Sequence, residues 1–254
     1  MNHNVVQKTP PNTNDDLSDH QNALDEYAST YPEGVHCLDS LNDTALAIFT
    51  KHDTKAIVVK RTPQDLAKIK QQLSEMHLRS LIKMDPGSKE LSTQLERAKK
   101  TLRPRLSANA VELRQLILRD LAEVATFLMK AASTLSVSPI RNFQHKLSND
   151  GSFGTTGHLH HDEINASCAY SGAGIELAAL VPPADRRYIQ VPVFAICIWK
   201  GARLFHRAPK YNNPINPFNV LARNNEGYTV NRLVSLWAIN VSSPSSEELD
   251  LCRL

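Results

Sequence analysis

The chain has 254 residues, 41% of them hydrophobic and 22% charged, with a formal net charge of +3. That is enough for one large domain or two small ones with a buried core, and it excludes a peptide, a fibre and a wholly disordered protein. No run approaches the ~20 apolar residues of a membrane helix, and residues 1–20 lack the apolar centre of a signal peptide. A cytoplasmic protein with no membrane contact is the expectation.

Cys37, Cys168, Cys197 and Cys252 are widely spaced and form no Cys-x-x-Cys pair, so they read as reduced packing residues rather than a zinc cluster or disulfide framework. Charge is unevenly spread. Residues 1–50 hold one Lys against eight acids, whereas residues 51–150 hold nineteen bases against ten acids.

Residues 1 to about 35, rich in Asn, Asp, Thr and Pro, have the composition of a tail, taken as unstructured up to residue 40. Two apolar runs follow, Ala45 to Phe49 and Ala56 to Lys60; Ile57, Val58 and Val59 make the second a strand. A helix then starts with Thr62 as cap, Pro63 in its first turn and Asp65 at the capping-box position, its apolar face being Leu66, Ile69, Leu73 and Met76. Asp85-Pro86-Gly87 breaks the pattern, an amphipathic segment runs from Ser88 to Leu102, and Arg103-Pro104-Arg105 breaks it again. The longest helix is predicted between Asn109 and Leu135, where Leu113, Leu116, Ile117, Leu121, Val124 and Leu128 recur at helical spacing.

After Ser138-Pro139 the texture changes to short alternating segments. Strands are predicted at Ile140 to Lys146, Ile164 to Tyr170, Ile175 to Leu180, Val191 to Trp199, Arg203 to His206 and Thr229 to Asn240. Several short strands closely spaced suggest a sandwich or barrel. The class is α+β: a helical N-terminal part, 41–136, packed on a β core, 137–242, with a C-terminal tail, 243–254.

Five of the ten histidines fall between positions 145 and 206, three of them in Gly157-His158-Leu159-His160-His161-Asp162-Glu163. On extended backbone, period-two geometry puts His158, His160 and Asp162 on one face, so that His160 and Asp162 can chelate one cation. His206, near the end of a predicted strand, is the candidate third ligand. Two imidazoles and one carboxylate make the facial triad of non-haem Fe(II) oxygenases, which leaves positions open for co-substrate and oxygen. With His158 as a fourth ligand the site would instead be closed and suit Zn(II).

The runs His160-His161-Asp162, Ala169 to Gly174, Trp199-Lys200-Gly201, His206-Arg207-Ala208-Pro209 and Arg232-Leu233-Val234 resemble an uncharacterised bacterial family, domain of unknown function 1826. The likeness spans about Ala45 to Asn240. Ala169, Ser171 and Ala173 depart from the Thr-Tyr-Arg-Gly-Pro-Gly-like turn of that family, and Ala208 and Lys210 from its Ser-Pro-Pro. The resemblance implies a double-stranded β-helix of jelly-roll or cupin type, as in Fe(II)/2-oxoglutarate oxygenases. A 2-oxoglutarate enzyme also needs a cation for the distal carboxylate, and Arg232, opening the last strand, is the candidate because a guanidinium binds carboxylate bidentately. Arg207 and Tyr170 are secondary candidates for co-substrate contacts.

The substrate, small molecule or macromolecule, is not named by any pattern. Arg97, Lys99, Lys100, Arg103 and Arg105 could track a phosphate backbone, yet no helix-turn-helix, zinc-finger or aromatic-platform pattern accompanies them, so nucleic acid is not an expected partner. The two readings carried forward are an Fe(II)/2-oxoglutarate dioxygenase-like enzyme and a non-catalytic zinc-binding protein of metal homeostasis.

Overall fold

The computed structural model describes residues 31–75, 93, 96–100, 102, 106, 108–135, 142–148, 159, 163–172, 174–208 and 233–240. Among them are β1 (Val35–Leu38), α1 (Asp43–Phe49), β2 (Ala56–Val59), α2 (Leu66–Glu75), α3 (Val111–Thr134), β3 (Asn142–Ser148), β4 (Glu163–Ser171), β5 (Glu176–Ala178), β6 (Ile189–Gln190), β7 (Ile196–Lys200), β8 (Phe205–Arg207) and β9 (Leu233–Asn240). Six strands form one sheet in the order β1-β2-β7-β4-β9-β3, and three form a second in the order β6-β5-β8. The protein is therefore a mixed helix-and-sheet structure.

Strand alternation gives the large sheet two distinct faces. The register rows Ala56–Trp199–Asn165–Ala238 and Val58–Cys197–Ser167–Leu236 share one, and Ile57–Ile198–Ala166–Trp237 and Val59–Ile196–Cys168–Ser235 share the other. The second face joins Leu113, Ile117, Leu121, Val124 and Leu128 of α3 in one apolar cluster. On the first, Ala56, Val58, Cys197 and Trp199 cluster with Ile175, Leu177, Val191 and Leu204, so the small sheet covers that side. At ~1.5–3 kcal/mol per fully buried large aliphatic side chain, these two clusters outweigh local propensity in holding the elements.

Several boundaries differ from the sequence expectation. The run Ala45 to Phe49 is helical because Asn42 caps it, its side chain accepting from the Ala45 amide at 2.8 Å. α2 starts at Leu66, with Pro63 to Leu66 forming a lead-in turn closed by the Leu66 amide donating to Pro63 O at 3.2 Å. The predicted strand Val191 to Trp199 is divided: Phe194 sits at φ 65, where its amide donates to Ala169 O at 2.7 Å, and only β7 is extended beyond it. A β-carbon on Gly174 would lie 2.0 Å from Val191 O, so only glycine admits this approach of the chain into β5.

The sheet is not confined to 137–242. β1 falls within the stretch expected to be an unstructured tail, and β2 pairs antiparallel with β7 while β1 adds in parallel on the edge. The physical reason is that Ile57, Val58 and Val59 are apolar on both faces, and burial on both sides needs a central position in a covered sheet.

Candidate metal centre

Of the four candidate ligands, His206 lies among the described residues, while His158, His160 and Asp162 lie outside them, as does Arg232. Among the described residues no three His, Cys, Asp or Glu side chains converge as a metal cluster. His206 is in β8, opposite Leu177 of β5, and Leu177 belongs to the cluster between the two sheets. The imidazole is buried, its ring centroid 4.8 Å from that of Trp199 on the facing strand β7. A histidine in a short strand thus faces the interior of the sandwich rather than solvent.

Trp199 is in register with Asn165 of β4, three residues after Asp162. Three residues of chain span at most ~10 Å, so His206 stands at the end of the sheet where β4 enters directly after the His160-x-Asp162 segment. This end has an unusual interior. Asn165 and Ser167 are buried polar residues on the inner face, and the Asn165 Nδ2 and Trp199 Nε1 donors are buried with no hydrogen-bond partner among the described residues. Burying a donor without an acceptor costs ~1–3 kcal/mol, so this space suits a bound group that brings oxygen acceptors. An ion with a carboxylate co-substrate fits that description.

β9 runs antiparallel along the whole of β4 and begins at its opposite end. Ser171 is paired with Leu233, and the Ser171 hydroxyl accepts from the Leu233 amide at 3.0 Å, which fixes the residue directly after Arg232. From Asn165 to Ser171 is six steps of ~3.3 Å, on the order of 20 Å along the strand. Leu233, the residue after Arg232, therefore lies at the far end of β4 from Asn165, and Asn165, Ser167 and Ala169 line the inner face between.

Tyr170 and Arg207 serve other surroundings than His206. Tyr170 is fully buried on the helix side of the sheet, where its phenol donates to Asp120 Oδ2 at 2.8 Å. Arg61 forms a two-pronged ion pair with the same carboxylate, and its Nε donates to Phe194 O at 2.6 Å and its Nη2 to Cys168 Sγ at 3.2 Å. Burial first, and the Asp120 charge second, push the Tyr170 phenol well above its ordinary pKa, so it remains a donor. Strand parity thus turns the Tyr170 side chain to the helix side of the sheet, away from the inter-sheet space where a co-substrate contact was expected. Arg207 pairs with Glu176 at 2.5 Å and stacks 3.5 Å over the Tyr188 ring, a neighbour of His206 in sequence that points to the other face of β8. It likewise falls away from His206 by alternation.

Sequence reasoning missed the Arg61–Asp120 pair and Asn165. A signal existed for the first: Asp120 interrupts the apolar stripe of α3 between Ile117, Leu121 and Val124. A carboxylate on a core-facing stripe demands a buried cation. Asn165 carried no comparable mark, because its exposure depends on which sheet covers β4.

No family model matches the chain, and no curated protein matches it. These comparisons give no support to the resemblance to domain of unknown function 1826. Solved structures do align over most of the chain. The dioxygenase for auxin oxidation 1 from Arabidopsis thaliana, solved as a 2-oxoglutarate binary complex, is 9% identical over 83% of this chain and 92% of that one, with a TM-score of 0.43. A Pseudomonas putida prolyl-4-hydroxylase is 12% identical over 81% of this chain and 100% of that one, with a TM-score of 0.39. A prolyl 4-hydroxylase from Phytophthora capsici is 12% identical over 83% and 69%, with a TM-score of 0.42.

Proposed function

We propose that the chain holds Fe(II) on His160, Asp162 and His206, binds 2-oxoglutarate with Arg232, and is a dioxygenase-like enzyme acting on a substrate of unassigned class. The observation that supports this reading is the buried His206, set between the sheets at the end of β4 that directly follows Asp162. Two imidazoles and one carboxylate occupy one side of an ion and leave the other open. Bound there with 2-oxoglutarate, Fe(II) supplies oxygen activation toward an unreactive C–H bond.

The protein's own residues have distinct tasks in this reading. Trp199 packs against His206 and excludes water from its ring. Asn165 and Ser167 offer polar contacts to a ligand lying along the inner face of β4. Arg232, the residue before Leu233, would have to reach back along the inner face of β4 toward the metal end to take the distal carboxylate with its planar fork.

The test is an anaerobic titration of the full chain with Fe(II) and 2-oxoglutarate. A weak visible absorption band and slow succinate formation in air are expected, with Asp162→Ala losing stoichiometric iron and Arg232→Ala weakening 2-oxoglutarate about tenfold or more while keeping iron. Unchanged metal content in Asp162→Ala overturns the proposed ligand set. Tight stoichiometric zinc with neither band nor succinate would replace the enzyme by a zinc-holding protein that adds His158 to the ligands.

A further inference from the structure

Two buried donors stand side by side on the inner face of the large sheet. Asn165 of β4 and Trp199 of β7 are register partners, and opposed residues on antiparallel strands hold their Cβ atoms ~4.5–5.5 Å apart on one face. Asn165 is 6% exposed and Trp199 3%, yet neither Asn165 Nδ2 nor Trp199 Nε1 has a hydrogen-bond partner among the described residues. Native interiors rarely leave even one donor in this state. Each is a neutral N–H that calls for an acceptor.

The cover over this row is uneven. Cys197 and Trp199 of β7 are buried, while Leu236 and Ala238 of β9, on the same face of the sheet, are only half-buried. β8 ends the order β6-β5-β8, and its His206 ring lies 4.8 Å from that of Trp199, so the edge of the small sheet stands over β7. Asn165 is set between the covered strand and the accessible one, and its partner in β9, Ala238, contributes only a methyl group. That leaves a way in from the β9 side. In strand order, a group passing over Ala238 meets Asn165 first, then Trp199, with the His206 ring behind them.

We propose that Asn165 Nδ2 and Trp199 Nε1 form a two-donor bracket for a planar carbonyl-type oxygen group, a carboxylate or an amide, of a small ligand that enters over Ala238 and lies beside His206. Two donors match either the two lone pairs of one carbonyl oxygen or one oxygen each of a carboxylate. The bracket deepens the function proposed above by giving these two side chains a direct part in selecting the ligand. It rests on that reading for the ion at His206, and not for the donors themselves.

Trp199 reports on its own site, because the chain has only two tryptophans and hence two indole N–H signals. The ¹⁵N-labelled full chain, with and without diamagnetic Zn(II) in place of iron, is titrated with 2-oxoglutarate, succinate and the neutral succinamide, and the Trp199 signal is identified by its loss in Trp199→Phe. The expected result is a saturable downfield shift of the Trp199 indole proton with that of Trp237 unmoved, and binding weakened about tenfold in Asn165→Leu and, by calorimetry, in Trp199→Phe. An unmoved Trp237 signal shows that both variants are folded. Succinamide acting like succinate assigns the bracket to any carbonyl oxygen, and succinate acting alone restricts it to carboxylates. A Trp199 signal that none of the three moves means that water holds the donors, and overturns the proposal, as does binding unchanged in both variants. Succinate formation from Fe(II) and 2-oxoglutarate with an unmoved indole would sink the bracket and leave the oxygenase; a responding indole without succinate formation would do the reverse.

Discussion

Asp120 lies on α3 with no exposed surface and receives three donors: both prongs of Arg61 and the phenol of Tyr170. Arg61 in turn holds the carbonyl of Phe194, whose φ of 65 is strained for an aromatic residue. One carboxylate therefore ties a helix, a strand and a tight turn together. Desolvating the two charges largely offsets their attraction, so the pair adds little net stability, but removing one partner leaves the other buried and unpaired. Asp120→Ala should lower the unfolding free energy by ~3–5 kcal/mol, and Tyr170→Phe by only ~1 kcal/mol. Urea denaturation measures both, and a loss below ~1 kcal/mol for Asp120→Ala would mean that Arg61 finds water instead. Cys168 is no reactive thiol in this setting, since burial pushes its pKa up to about 12.

At the scale of elements, α3 shows why local sequence signals go only part of the way. Six of its eleven buried residues, Leu113, Leu116, Ile117, Leu121, Val124 and Leu128, were legible from periodicity, but Ala110 at its N-cap provides no side-chain acceptor. The cap comes from another helix. Gln72 of α2 accepts from the Leu113 amide at 3.0 Å and donates to the Glu112 carboxylate, the position an N-cap side chain ordinarily serves. Nothing near Ala110 in sequence announces a residue about forty positions earlier. Gln72→Met keeps the packing and removes both contacts, and should lower stability by ~1 kcal/mol with an unchanged dependence on denaturant. A change under ~0.3 kcal/mol would show that solvent satisfies the helix start equally well. The same reasoning explains the split of the predicted strand at Phe194: alternation of apolar residues continued through it, whereas the Arg61 and Ala169 contacts that bend the chain are distant in sequence.

Across the whole molecule, local texture named the strands but not their neighbours. The change of texture after Ser138-Pro139 suggested a division between a helical part and a β core, yet β2 closes the sheet against β7, nearly one hundred and forty positions later. The candidate site depends on the same long-range pairing, because Trp199 of β7 is what His206 packs on. A fragment beginning at residue 137 would lose β2 beside β7 and α3 over Ile164, Ala166, Tyr170 and Trp237. Exposing several large apolar side chains at ~1.5–3 kcal/mol each exceeds the ~5–15 kcal/mol net stability of an ordinary domain. The fragment is expected to show poor amide dispersion by NMR and no cooperative urea transition, while residues 31–254 show both. A sharp, two-state unfolding curve from the fragment would instead mean that the β core folds alone and that β1, β2 and the helices are additions to it.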